Sequence, residues 1–125
     1  MKAATVLIVE DESLLSEAYD MILKKEGYKT LTAFDGKEAL VAVGNDKQAI
    51  DLILLDLRMP HMSGIEFLKE FSKTNKKLPK TIVFSNYDVQ KDINEAFKYG
   101  ATRYMLKAWA SPKELVKVIE DTLAD

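Results

Sequence analysis

Apolar positions along this chain fall into two patterns that alternate with each other. Five short, nearly continuous runs rich in Val, Ile, Leu, Tyr and Phe predict strands over Thr5–Val9, Tyr28–Ala33, Leu52–Leu55, Thr81–Phe84 and Thr102–Leu106. The segments between and after them carry apolar residues at helical spacing. Leu15, Ala18 and Ile22 share a face in the first, and Ile65, Leu68 and Phe71 in the third. Val89, Ile93, Ala96 and Phe97 do so in the fourth, and Leu115, Ile119 and Thr122/Leu123 in the last. A short second helix is predicted over roughly Lys37–Val43.

Helix punctuation agrees with these segments. Asp35-Gly36-Lys37-Glu38, Ser63-Gly64-Ile65-Glu66 and Ser111-Pro112-Lys113-Glu114 have capping-box spacing. Pro112 falls at a first helical position, where its missing N–H costs nothing. Gly27 and Gly100 stand where left-handed C-caps are expected. Strict strand-helix alternation with continuously apolar strands predicts an α/β fold: a doubly wound, five-stranded parallel sheet covered on both faces, a three-layer sandwich. The common strand order for such a sheet is 2-1-3-4-5.

Composition narrows the function. With 125 residues, one domain spanning 1–125 is expected. The 18 basic and 20 acidic residues nearly balance, which leaves no footprint for nucleic acid or an anionic membrane. Cysteine is absent, removing disulfides and thiolate metal sites and fitting a cytoplasmic setting. The apolar run Val6–Val9 stops at Glu10-Asp11-Glu12, too short for a signal peptide or a membrane span.

The chemistry gathers at the strand ends. In an open parallel sheet, ligands bind beyond the carboxyl ends of the strands, where the strand order reverses. Glu10 and Asp11 follow strand one, Asp56 follows strand three, Ser85 strand four and Lys107 strand five. Strands one and three are neighbours at the switch point, so three carboxylates converge there. A cation must offset their repulsion, and oxygen ligands without His or Cys suit Mg²⁺ or Mn²⁺. Magnesium held by carboxylates leaves room for a phosphoryl group. The Lys107 ammonium and Ser85 hydroxyl are placed to meet its oxygens. A carboxylate attacking phosphorus gives an aspartyl phosphate.

These residues resemble the receiver domains of two-component response regulators, chemotaxis-regulator-like and either stand-alone or excised. The likeness runs from "VLIVEDE" through "LLDLRMPHMSG" and "VFSN" to "YMLK", and its core is Asp56-x-x-Met59-Pro60-x-Met62-x-Gly64. It implies a flavodoxin-like (βα)5 fold and a phosphoprotein in phosphorelay signal transduction. Asp56 would be the phosphoacceptor, and Asp11 the direct Mg²⁺ ligand, with Glu10 acting through water. The backbone carbonyl of Arg58 would be a further ligand. Ser85 and Lys107 would contact the phosphoryl group. Tyr104 matches the aromatic whose inward swing, with movement of Ser85, remodels the face of helix four, strand five and helix five. Implied partners are a sensor histidine kinase or histidine phosphotransfer protein, a downstream target on that face, and a phosphorylation-linked dimer. The domain would catalyse only its own phosphorylation and dephosphorylation. No output domain is expected in this chain.

Departures from the family pattern give further expectations. Ala108 follows Lys107 where the family usually has a proline after a cis bond, and Ala108-Trp109-Ala110 is one residue longer than the commonest version. Asn86 stands where a small residue is common, and with Arg58 and Tyr87 it is expected to tune phosphoryl lifetime. Met59 and Met62 are expected to fill core under their loop. Plainer readings stand beside these. Glu10-Asp11-Glu12 is also an acidic first turn, Ser85 an N-cap-region hydroxyl, Lys107 the partner of an exposed acid, and Tyr104 strand packing. Trp109 reads as a surface aromatic and His61 as an exposed loop residue. Lys24-Lys25, Lys76-Lys77 and Lys80 read as solvated helix ends.

A degenerate receiver, binding partners constitutively without phosphate, is the second reading. An enzyme on the same fold is the third. A flavodoxin wants a hydroxyl- and glycine-rich cradle where "EDESLL" stands. A haloacid-dehalogenase-like phosphatase wants an aspartate where Arg58 stands.

Overall fold

The structure, a computed structural model, describes residues 3–45 and 47–125 apart from the Trp109 side chain. Strands β1 (Thr5–Val9), β2 (Lys29–Ala33), β3 (Leu52–Leu55), β4 (Lys80–Ser85) and β5 (Arg103–Leu106) alternate with helices α1 (Ser13–Lys25), α2 (Gly36–Gly44), α3 (Gly64–Ser72), α4 (Gln90–Lys98) and α5 (Pro112–Ala124). A single 3₁₀ turn, Lys107–Trp109, joins β5 to α5. The strands form one parallel sheet in the order β2-β1-β3-β4-β5, as the alternation predicts.

Alternation along the strands assigns the helices to layers. Leu7, Val9, Ile53, Leu55 and Val83 pack on Ala39, Phe67, Leu68 and Ala96 of α2, α3 and α4. The intervening residues Val6, Ile8, Leu52, Leu54, Ile82 and Phe84 pack on Leu23 of α1 and on Leu115 and Ile119 of α5. Both faces are thus sealed, which is what continuously apolar parallel strands require. Each fully buried Leu or Ile contributes about 1.5–3 kcal/mol.

The caps largely follow their spacing. Ser63 and Glu66 form a complete capping box at α3. Asp35 accepts from Glu38 N, but the Glu38 carboxylate reaches one residue further back and accepts from Phe34 N. Ser111 accepts from Glu114 N ahead of Pro112. Gly27 and Gly100 have φ of 93° and 109°, the left-handed region where a Cβ is penalised.

Several expectations need correction. The strand boundaries shift by a residue: β2 starts at Lys29, β4 runs from Lys80 to Ser85, and β5 starts at Arg103. The stripe of α1 is misplaced, because Ser16 and Leu23 are its buried residues whereas Ala18 is exposed. On α4 only Ala96 is buried; Val89 is the extended N-cap, and both it and Phe97 are exposed. Lys80 is no helix end: its ammonium donates to the Thr122 carbonyl at 2.8 Å and to that of Asp125, closing the C-terminus of α5. The Lys107–Ala108 peptide is trans. The Trp109 side chain, read as a surface aromatic, lies outside the described residues. Met59 and Met62 are half-buried against the core, as expected.

Candidate functional site

Register places the chemistry. Val9 pairs with Leu55 across the central strands, so the next residues, Glu10 and Asp56, leave the sheet side by side. Glu10 N donates to Ala33 O and Asp56 N to Val9 O, both at 3.0 Å, which extends the ladder one residue beyond each strand and aims both side chains over the sheet edge. Asp11 follows in the β1–α1 loop. Glu10, Asp11 and Asp56 each bring one carboxylate oxygen within 4.8 Å of the others, the only such acidic group among the described residues. Helix α1 begins after them and has no acidic first turn, so the acidic run is not merely a helix start.

The cluster is buried except at Asp11, which is partly exposed at its mouth. Glu10 is 2% exposed, Asp56 7% and Ser85 0%. Lys107 reaches in from the end of β5, its Nζ 2.5 Å from Glu10 Oε1 and 3.4 Å from Asp56 Oδ2. The partners of Lys107 are therefore buried acids, not exposed ones. Glu10 Oε2 also accepts from Glu12 N at 3.2 Å, and Asp56 Oδ1 from Arg58 N at 3.4 Å. Three carboxylates against one ammonium leave the group two charges short of neutrality, and burial magnifies the cost. Burial pushes the Asp56 carboxyl above the usual aspartate range, against the pull of Lys107. Asp11 is raised as well, first by burial and then by Glu10. For Lys107, burial works to lower the ammonium, but Glu10 and Asp56 outweigh it and hold the group above its usual value.

A family model described as the response regulator receiver domain matches residues 6–120. The chain belongs to that family. Among curated relatives, response regulator SaeR of Staphylococcus aureus is 34% identical over 118 residues, covering 94% of this chain and 50% of its own. The chain thus spans about half the length of the curated relatives it matches. A CheY-like receiver domain protein from Methanospirillum hungatei superposes with a TM-score of 0.89 at 27% identity, covering 98% of this chain and 95% of its own. The chemotaxis response regulator CheY4 of Vibrio cholerae does so with 0.85 at 29%, covering 97% and 99%. This chain is a receiver domain of the two-component type, a signalling family and not an established enzyme family.

Around the acidic centre, the receiver's β3–α3 and β4–α4 loops are laced together. Ser85 Oγ accepts from Tyr87 N at 3.1 Å, and Tyr87 O accepts from the Tyr104 hydroxyl at 2.7 Å. Tyr104 is half-buried, and burial raises its phenol. The Arg58 guanidinium sits 4.5 Å over the Tyr87 ring and 3.0 Å from Asp92 Oδ2 in α4. Asn86 is exposed and lines a groove with Tyr19, Phe84 and Lys107. Tyr104, Tyr87, Ser85 and Arg58 are therefore one connected set, while Asn86 stands to its side.

Two glycines hold the loops close. A Cβ on Gly64 would lie 2.5 Å from the Asp56 carbonyl oxygen, and one on Gly36 would lie 2.6 Å from Met62 Cγ. His61 is exposed, as expected, but it is also left-handed at φ 64° and pairs through Nδ1 with Asp35 Oδ2 at 2.9 Å. Sequence reasoning also missed Tyr19, whose ring packs tilted against Phe84 with centroids 5.4 Å apart and borders the small void beside Glu10, Asp56 and Lys107. Its spacing from Ser16 and Leu23 was the available signal.

No helix among the described residues is long and apolar enough to cross a membrane.

Proposed function

We propose that this receiver is a phosphorylation-driven switch with Asp56 as its phosphoacceptor. One observation carries the reading: three carboxylates, two of them buried and Asp11 partly exposed, converge with one ammonium at the switch point of a parallel sheet. A site two negative charges in excess with only oxygen donors fits a hard divalent cation. Glu10, Asp11, Asp56 and the Arg58 carbonyl would hold Mg²⁺, or Mn²⁺. When bound, the ion neutralises charge on the phosphoryl oxygens and on the carboxylates.

An Asp56 carboxylate oxygen attacks the phosphorus of a phosphohistidine presented by a histidine kinase or a histidine phosphotransfer protein. The new O–P bond forms as the P–N bond breaks, and the donor imidazole keeps the bonding pair. Lys107 already contacts Asp56 and turns its ammonium to the incoming oxygens. Ser85, buried at the end of the neighbouring strand, offers its hydroxyl proton while its oxygen accepts from Tyr87 N. A turn of Ser85 toward the phosphoryl group pulls on the loop whose carbonyl holds Tyr104, and so remodels the face of α4, β5 and α5 for a downstream protein or a second copy of the chain. Arg58, Asn86 and Tyr87 border the phosphoryl position and set its lifetime by controlling water access. Alanine at each should alter the rate of phosphoryl loss; three unchanged rates would remove that role. Residues 1–125 act here as a single receiver unit, in the cytoplasm where histidine-kinase phosphodonors operate.

Intact mass after incubation with Mg²⁺ and acetyl phosphate tests the switch. The native protein should gain one phosphoryl group; Asp56→Asn and an EDTA-treated sample should not. No gain, under conditions that modify another receiver, would leave a constitutive binding module.

A further inference from the structure

The Arg58 side chain reaches from the phosphoacceptor loop, across Tyr87, to α4. Its guanidinium is held between the Tyr87 ring at 4.5 Å and Asp92 Oδ2 at 3.0 Å. Asp92 is the third residue of α4, whose N-cap, Val89, offers no side-chain acceptor. Asp92 is the acidic side chain of that first turn, and the contact that fixes it from outside the helix comes from a residue two positions after Asp56. The Tyr87 ring gives the guanidinium a second contact beside the ion pair. The same Tyr87 donates from its N–H to Ser85 and accepts from Tyr104 at its carbonyl.

We infer that Asp92 is a positioning residue: its ion pair with Arg58 ties the first turn of α4 to the loop following Asp56, and so carries a change at Asp56 into α4. The inference rests on the phosphoacceptor reading for its second half; the tether itself does not. Coupling through a packed, bistable element needs such a physical link. Asp92 also meets the helix dipole, and that contribution is separable because it does not involve Arg58.

The test is amide hydrogen exchange by mass spectrometry on the native protein, Asp92→Asn, Arg58→Gln and the double variant, first untreated. Each single change should speed exchange over residues 90–94, by up to about fivefold for a half-exposed pair. The double variant should fall short of the product of the two effects, while α1 and α5 stay unchanged. Effects that simply multiply would overturn the tether. The four proteins are then treated with Mg²⁺ and acetyl phosphate, and exchange is normalised to the phosphorylated fraction read by intact mass. The native protein should show a phosphorylation-dependent change over 90–94, at least halved in Asp92→Asn. A full response in Asp92→Asn, or none in the native protein, overturns the coupling. If no protein gains phosphoryl mass, the phosphoacceptor reading fails instead, and the untreated cycle alone decides the tether.

Discussion

Lys107 Nζ and Glu10 Oε1 lie 2.5 Å apart across the edge of the sheet, 97 residues distant in the chain and both nearly sealed from water. The contact is tighter than that between Lys107 and Asp56, at 3.4 Å. The lysine belongs first to Glu10 and only second to Asp56. Removing it strands a carboxylate that is 2% exposed. Lys107→Ala should lower unfolding stability by about 3–5 kcal/mol in metal-free buffer. Saturating Mg²⁺ should recover part of that loss, since it restores positive charge to the same oxygens. Urea unfolding with and without Mg²⁺ measures both, and a loss below 1 kcal/mol, on the order of a surface pair, would deny the buried character of the contact.

Asp56 should behave in the opposite sense. Its folded pKa is raised from 3.8, chiefly by burial, so the folded protein holds this proton more tightly than the unfolded chain does. Stability from this group is present below pH 3.8 and lost as pH rises through the folded value. At neutral pH the ionised carboxyl is therefore a cost. Asp56→Asn should raise the thermal midpoint without metal, because Lys107 keeps Glu10 as its partner. The same variant should lose most of the native protein's Mg²⁺-dependent gain in midpoint. Thermal scans at pH 7 in EDTA and in Mg²⁺ read the two effects separately.

Gly64 and Gly44 make a contrasting pair. A Cβ at Gly64 would meet the Asp56 carbonyl oxygen at 2.5 Å and Leu57 Cα at 2.9 Å, both backbone atoms that cannot turn aside, whereas one at Gly44 meets nothing within 4 Å. Gly64→Ala should cost about 1–3 kcal/mol and slow phosphorylation by shifting Asp56. Gly44→Ala, at the end of α2, should be neutral or gain up to about 0.5 kcal/mol. Equal effects on denaturant midpoints would contradict the close approach.

Asp35 should contribute to the acid limb of stability. Its carboxyl is held below the usual aspartate range, first by the bond from Glu38 N and then by His61. A depressed folded pKa gives stability that is full above pH 3.8 and lost as pH falls through the folded value. Asp35→Asn keeps an N-cap acceptor but has no charge to titrate, so stability between pH 4 and 2 should fall less steeply than in the native protein. Asp35→Ala should cost about 1 kcal/mol at pH 7. A pH series of urea midpoints separates cap from charge.

The fold was legible because its determinants are local. Leu52–Leu55 reads as a buried strand from four consecutive aliphatics, and Ser63 with Glu66 marks a helix start within four residues. The acidic centre was legible because sheet topology turns positions at strand ends into neighbours. What escaped depends on distance or on polar burial. Ser16 sits on the buried face of α1 although it is polar, so an apolar stripe misplaces that face. Val89 and Phe97 are apolar yet exposed, so the pattern overstates the burial of α4. Arg58 with Asp92, and His61 with Asp35, join residues 34 and 26 positions apart, and no spacing rule announces such pairs.

The unequal seating of the helices has one more consequence. α3 anchors itself with Phe67, Leu68 and Phe71, whereas α4 commits only Ala96 to the core. With so little of its surface committed, α4 is an element that can shift at small packing cost. A disturbance at the sheet edge relaxes where packing resists least, so direction in this protein follows from unequal anchoring.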